Sequence, residues 1–120
     1  MDPEQYHQQA ERLLLQLGVH IGRRQGLYLL TALHLIHEDP SRLQFVTKWL
    51  YPAVAAACHT SLSAVERGIR LACDKLWYHG NYELLMRIVL FDRDEPPAPS
   101  LMLAYLYHHL LSICINESRP

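Results

Sequence analysis

Apolar residues recur along most of this chain at the three- and four-residue spacing of an amphipathic helix, and no stretch alternates as a strand would. The pattern predicts an all-α fold of six or seven helices in one domain over residues 1–120. Caps, prolines and glycines mark the helix ends, as Asp2 does before the first helix and Gly18 after it. The predicted helices cover about residues 3–17, 22 or 23 to 38, 41–50, 53–58, 63–77, 82–90 and 100–116, and a loop covers 92–99.

Residues from about 50 to 79 have the pattern of a helix-turn-helix, in which a short helix, a turn and a longer helix follow one another. Ser63 and Glu66 fit a capping box at the start of the longer helix, and Ser61 is the alternative N-cap. In DNA-binding proteins the second helix of such a unit lies in the major groove.

The second helix of this unit has one apolar stripe and one polar face. Val65, Ile69 and Cys73 form the stripe, so the opposite face is expected to point outward. Arginine can bind a guanine edge through two hydrogen bonds, and glutamate can accept one from cytosine. An exposed ion pair between Glu66 and Arg70, four residues apart, is an equally good interpretation of this spacing. The residues expected on the outer face are Ser63, Ala64, Glu66, Arg67 and Arg70, with Lys75 further along.

The distribution of charge matters more than the net charge of −1. Residues 48–75 hold four Lys or Arg against two Asp or Glu, whereas the segments on either side hold more acidic than basic residues. This localises an anion-binding face to 48–75. The apolar runs are too short to cross a bilayer, and no signal peptide precedes the first helix, so we expect a cytoplasmic bacterial protein that does not span a membrane.

No pattern in the sequence indicates catalysis. There is no zinc motif, no nucleophile signature and no glycine-rich loop for phosphate. The three cysteines are an odd number without a close pair, which favours buried reduced thiols over disulfides. We therefore expect no enzymatic activity, no cofactor, no metal and no small-molecule substrate.

The string LYPAVAAACHTSLSAVERGIRLACDKLWYHGN, preceded by VTKW, resembles the C-terminal DNA-binding effector domain of the sporulation master response regulator of endospore-forming Firmicutes. The resemblance covers most of the chain, from Leu17 to Asn81, and is most specific in the clusters 50–52, 65–67, 69–70 and 80–81. It implies a six-helix domain whose recognition helix enters the major groove of double-stranded DNA, and a role in transcription regulation.

The resemblance also assigns roles to single residues. It makes Glu66, Arg67 and Arg70 candidate base readers, places Ser63 at the start of the recognition helix, and makes Lys48 and Thr60 candidate phosphate contacts.

This chain departs from the family pattern at five positions. The family usually has a basic residue where this chain has Ala64, and a histidine where it has Leu71. It has two lysines where this chain has Ala56 and Ala57, and an alanine where this chain has Gly68. Each lost positive charge removes a counterion-release contribution, so we expect weaker and less salt-dependent DNA binding than in the family. A glycine inside the recognition helix costs that helix about 0.5 to 1 kcal/mol.

These features lead to two functional hypotheses. The first is a sequence-specific DNA-binding regulator related to sporulation initiation, which reads a short box with the helix over 63–78. The alternative is a helical protein-interaction module or antagonist that has kept the fold and weakened its DNA binding. Because the chain begins at its own methionine and holds no receiver domain, we expect a stand-alone homologue controlled by abundance, oligomerisation or a partner.

The last predicted helix is apolar nearly all round, with twelve apolar residues among the fifteen from Leu101 to Ile115. A helix on the surface of a monomer needs only one apolar stripe. The surplus predicts a homodimer through this helix, with Leu106 and Leu110 as candidate interface residues.

Overall fold

The computed structural model describes residues 2–89 and 94–117, which contain helices and no β-strand. The all-α class predicted from the sequence is confirmed. The α-helices of the described residues are α1 (Pro3–Gln16), α2 (Arg24–Glu38), α3 (Tyr51–Ala57), α4 (Leu62–His79), α5 (Tyr82–Ile88) and α6 (Pro99–Glu117). Between α2 and α3 lie a 3-10 helix over Pro40–Gln44 and a π-helical turn over Val46–Leu50.

Both ends of α1 follow the sequence signals that predict them. The carboxylate of Asp2 accepts a hydrogen bond of 3.0 Å from the N–H of Glu4, which satisfies one of the free donors of the first turn. At the other end Gly18 has a φ of +93°, and the N–H of Val19 donates to the carbonyl of Leu14 at 2.8 Å. This is a Schellman motif, and its left-handed residue is one that glycine occupies without strain.

Residues 41–50, predicted as one α-helix, form two short irregular helices separated by a single residue, Phe45. Pro52 accounts for the second of them. It has no N–H to bond the carbonyl of Lys48, and its ring would clash with that carbonyl in a regular α-helix, so the preceding turn widens. The N–H of Tyr51 closes the wider turn on the carbonyl of Val46. Helix α3 accordingly begins at Tyr51, two residues earlier than predicted.

Helix α2 lies in the centre of the fold and packs on α1, α3, α4 and α6. Its contact with α4 depends on Gly68, because a Cβ at that position would lie 2.6 Å from Cδ2 of the Tyr28 ring. Gly68 lowers the intrinsic stability of α4, as expected from the sequence, but it also lets the ring of Tyr28 pack closely against this helix. The buried residues of α2 are Gly26, Tyr28, Leu29, Leu30, Ala32, Leu33 and Ile36.

Helix α6 turns its main apolar face toward the core of its own chain, where it packs on α1 and α2. Leu106 and Leu110 belong to that face and are 0% exposed. The assignment of these two side chains to a dimer interface is therefore wrong, because the single chain already buries them. The large apolar side chains that α6 leaves exposed lie near its two ends, at Leu101 and Ile115. Self-association itself stays a prediction.

Helix α5 ends at Ile88, slightly before the predicted end at Leu90. Leu90 and the beginning of the predicted loop, Asp92, lie outside the described residues. None of the helices in the described ranges, α6 included, is long and apolar enough to cross a membrane.

Candidate nucleic-acid interface

The turn between α3 and α4 is fixed by backbone hydrogen bonds. His59 has a φ of 54°, its N–H donates to the carbonyl of Ala56 at 3.3 Å, and the N–H of Thr60 donates to the carbonyl of Ala55 at 3.0 Å. The pair of bonds is a second Schellman motif. Histidine is one of the side chains that tolerate the left-handed region better than most. The direction in which α4 leaves α3 is thus set by main-chain geometry.

Helix α4 has Ser61, the alternative of the two predicted residues, as its N-cap. Ser61 has extended backbone angles, and its hydroxyl accepts a hydrogen bond of 3.1 Å from the N–H of Ala64. The capping box of Ser63 and Glu66 is therefore wrong, since Ser63 lies within the first turn of α4. Glu66 consequently has no capping role, and its carboxylate belongs to the side of the helix.

The register of α4 agrees with the predicted apolar stripe. Val65, Ile69 and Cys73 are all buried, and burial raises the pKa of the Cys73 thiol to about 12. Two of the residues predicted to point outward, Ala64 and Glu66, are half-buried at the edges of the outer face. The exposed residues from the predicted set are Ser63, Arg67, Arg70 and Lys75.

A hollow of about 200 Å³ runs along the α3 side of α4, and Glu66 and Arg70 both line it. Tyr51 lies at its floor. Burial is the main cause that raises the pKa of Tyr51 to about 12, Cys73 and Glu66 raise it further, and Arg70 opposes them. No ion pair within 4.0 Å joins Glu66 to Arg70, both of which the structure describes. The exposed ion pair that their spacing also allowed is not formed.

A second groove, of about 320 Å³, runs along the opposite side of α4 between that helix and the first turns of α2. Arg67 lines this groove, whereas Glu66 and Arg70 line the hollow on the α3 side. Leu71 is partly exposed in its wall. The full lining is Arg24, Gln25, Tyr28, Ala64, Arg67, Gly68 and Leu71.

Arg24 is a basic residue of this region that the sequence did not single out. The available signal was the dipeptide Arg23-Arg24 at the start of the second helix. Arg24 belongs to the N-terminal segment of the sequence, which holds more acidic than basic residues. The fold nevertheless brings Arg24 beside Arg67.

The two predicted phosphate contacts occupy different environments. Lys48 is exposed in the π-helical turn, next to Thr47, which lines the hollow on the α3 side. Thr60 is half-buried, and its hydroxyl accepts a hydrogen bond of 3.5 Å from the hydroxyl of Tyr28. Thr60 therefore also ties the turn to α2.

The outer face of α4 carries three exposed basic side chains. In the part of the chain that the structure describes, no three or more His, Cys, Asp or Glu residues are placed to bind a metal. Residues 10–110 match the family described as "Sporulation initiation factor Spo0A C terminal". This range contains α2 to α5 complete, half of α1 and most of α6. The chain therefore belongs to the family of the Spo0A C-terminal domain.

Proposed function

We propose that this protein is a sequence-specific DNA-binding regulator related to sporulation initiation, and that α4 reads a short box in the major groove. The observation that carries the proposal is the position of Arg67 and Arg70, which are exposed one helical turn apart on the outer face of α4. Neither forms an ion pair with a described residue, so both guanidinium groups are available to an external acceptor. Membership of the Spo0A C-terminal family supports the same function.

The chemistry of base reading follows from the side chains on α4. A guanidinium donates two parallel hydrogen bonds to O6 and N7 of guanine, and the carboxylate of Glu66 can accept one from the N4 amine of cytosine. Because Arg67 and Arg70 line different hollows along α4, we expect them to contact different base pairs. The small side chain of Ser63 lets the start of the helix approach the groove.

Phosphate contacts position the helix without reading sequence. Lys48 and Lys75 are exposed, and each is suited to a phosphate because ammonium is a compact charge. The backbone hydrogen bonds of the turn between α3 and α4, together with the bond between Tyr28 and Thr60, hold the start of α4 against α3 and α2.

The test compares a base reader with a phosphate contact. A duplex is selected from a random pool with the wild-type protein and then titrated in mobility-shift assays. Arg67→Ala is expected to cost about 1 to 3 kcal/mol and to relax base preference at one position. Lys48→Ala is expected to weaken binding to all duplexes alike and to flatten the salt slope by about one unit. Arg12→Ala, on the exposed face of α1, is the matched control.

Failure of the wild type to prefer any duplex over the random pool at low salt would contradict the proposal. The helical protein-interaction module is the function that such a result would favour. It has one observation in its support: Phe45 and Trp49, whose ring centroids lie 6.0 Å apart, are 53% and 44% exposed beside α3.

A further inference from the structure

The start of α2 carries two adjacent arginines that no role described above uses, the N-cap Arg23 and the first helical residue Arg24. Arg23 and Arg24 are both exposed, and neither forms an ion pair with any described residue. An unpaired pair of arginines on one turn is a concentrated positive charge, which attracts an anionic partner.

The fold places this turn directly against the middle of α4. The Cα of Gln25 lies 3.8 Å from the position that a Cβ on Gly68 would occupy, which is van der Waals contact. Because Gly68 has no side chain, α2 can approach the recognition helix this closely. The two arginines therefore belong to the same surface as the outer face of α4.

Each arginine shares a hollow with a basic residue of α4. Arg24 and Arg67 line the groove between α2 and α4, and Arg23 and Lys75 line a smaller hollow of about 30 Å³ further along the same side. No carboxylate lines either hollow among the described residues. Four basic side chains, from the start of α2 and from α4, thus line these two hollows, and we call them the α2 patch: Arg23, Arg24, Arg67 and Lys75.

A helix in the major groove has a phosphate strand on each side, since the groove is about 12 Å wide and is bounded by two backbones. Lys48 lies on the α3 side of α4, where it can meet one strand. The other strand would pass the α2 side, and on that side the exposed cations outside α4 are Arg23 and Arg24 in the described part of the chain.

We propose that Arg23 and Arg24 are phosphate-binding residues that hold the DNA strand on the α2 side of α4. This inference rests on the proposed DNA-binding function.

The experiment measures the salt dependence of binding to a random-sequence duplex pool with the wild type, Arg23→Gln, Arg24→Gln and the double variant. Each phosphate contact contributes about 0.9 to the slope of log affinity against log salt. The affinity advantage of the wild type over each single variant should therefore shrink by about 3.5-fold for every fourfold rise in salt, and over the double variant by about 12-fold. Arg12→Gln removes the same charge from the outer face of α1 and should leave the slope unchanged.

The outcomes separate this inference from the function on which it rests. If the wild type binds DNA and the double variant has the wild-type salt slope, the phosphate role of the two arginines is wrong and the function of α4 is unaffected. If the wild type binds no duplex at low salt, the proposed function fails and this inference fails with it. Circular dichroism of the variants shows whether they remain folded, and base preference, read from the selected duplex, should be the same in the double variant as in the wild type.

Discussion

Gly68 gives the sharpest test of how α2 and α4 pack. Replacing a glycine with alanine in the middle of a helix normally stabilises the helix by about 1 kcal/mol. Here the added Cβ would lie 2.6 Å from Cδ2 of Tyr28, a distance that real Cβ atoms essentially never show, and 3.0 Å from Cε2, which is tighter than most real contacts. The ring cannot move away freely, because Tyr28 is only 6% exposed and its hydroxyl bonds Thr60.

The two effects have opposite signs, so their magnitudes decide the result. Overpacking of a well-packed core typically costs about 1 to 3 kcal/mol, against a propensity gain of about 1 kcal/mol. We expect Gly68→Ala to lower the free energy of unfolding by about 1 kcal/mol. Gly22→Ala is the matched control, because nothing lies within 4 Å of its Cβ position, and it should be neutral or stabilise by about 0.4 to 1 kcal/mol.

Urea unfolding followed by circular dichroism measures both variants. A double-mutant cycle with Tyr28→Leu isolates the contact, since removing the rigid ring should abolish the penalty of Gly68→Ala. If Gly68→Ala is more stable than the wild type, or if its effect is the same with and without the Tyr28 ring, the described packing of α2 on α4 is wrong.

Three further predictions concern the ends and the interior of the fold. Ser61→Ala should cost about 1 kcal/mol of stability because it removes the N-cap of α4, whereas Ser63→Ala should change stability by less than about 0.5 kcal/mol, and equal effects in thermal unfolding would refute the cap assignment. A thiol reagent should label the half-buried Cys58 before Cys73, because burial raises the pKa of the Cys73 thiol to about 12. Rapid labelling of Cys73 in the native protein would mean that α4 is rotated about its axis relative to the described structure. Burial lowers the pKa of His37 below its ordinary 6.5, so near that pH the unfolded chain binds more protons than the folded chain. The free energy of unfolding should therefore fall as the pH drops through 6.5. A His37→Phe variant with the same pH dependence as the wild type would contradict this.

Local signals predicted the helices well where each signal acts on its own segment. Asp2 begins α1 and Gly18 ends it, through hydrogen bonds that the side chain of Asp2 and the backbone of Gly18 make. The sequence alone therefore predicts both ends of this helix. The segment before Pro52 was mispredicted because apolar spacing does not show that a proline removes a donor and obstructs the carbonyl four residues earlier. The resulting π-helical turn moved the start of α3 to Tyr51.

The candidate site shows the same division. The buried stripe of α4 follows from helical periodicity, and the structure agrees with it. The position of Arg24 beside Arg67 depends on tertiary packing between residues distant in the chain, which charge counted along the sequence cannot reveal. Leu106 and Leu110 were misassigned for a related reason, because periodicity shows how much of α6 is apolar but not which of its faces the core of the same chain covers.

The central claim is that α4 enters the major groove, and chemical protection of bound DNA tests it most directly. Dimethyl sulfate methylates N7 of guanine in the major groove and N3 of adenine in the minor groove. With the duplex selected by the wild type, we expect protection at guanine N7 within the box, loss of one protected guanine in Arg67→Ala, and no protection at adenine N3. Protection confined to adenine N3, or a bound duplex whose guanines all remain reactive, would contradict the account.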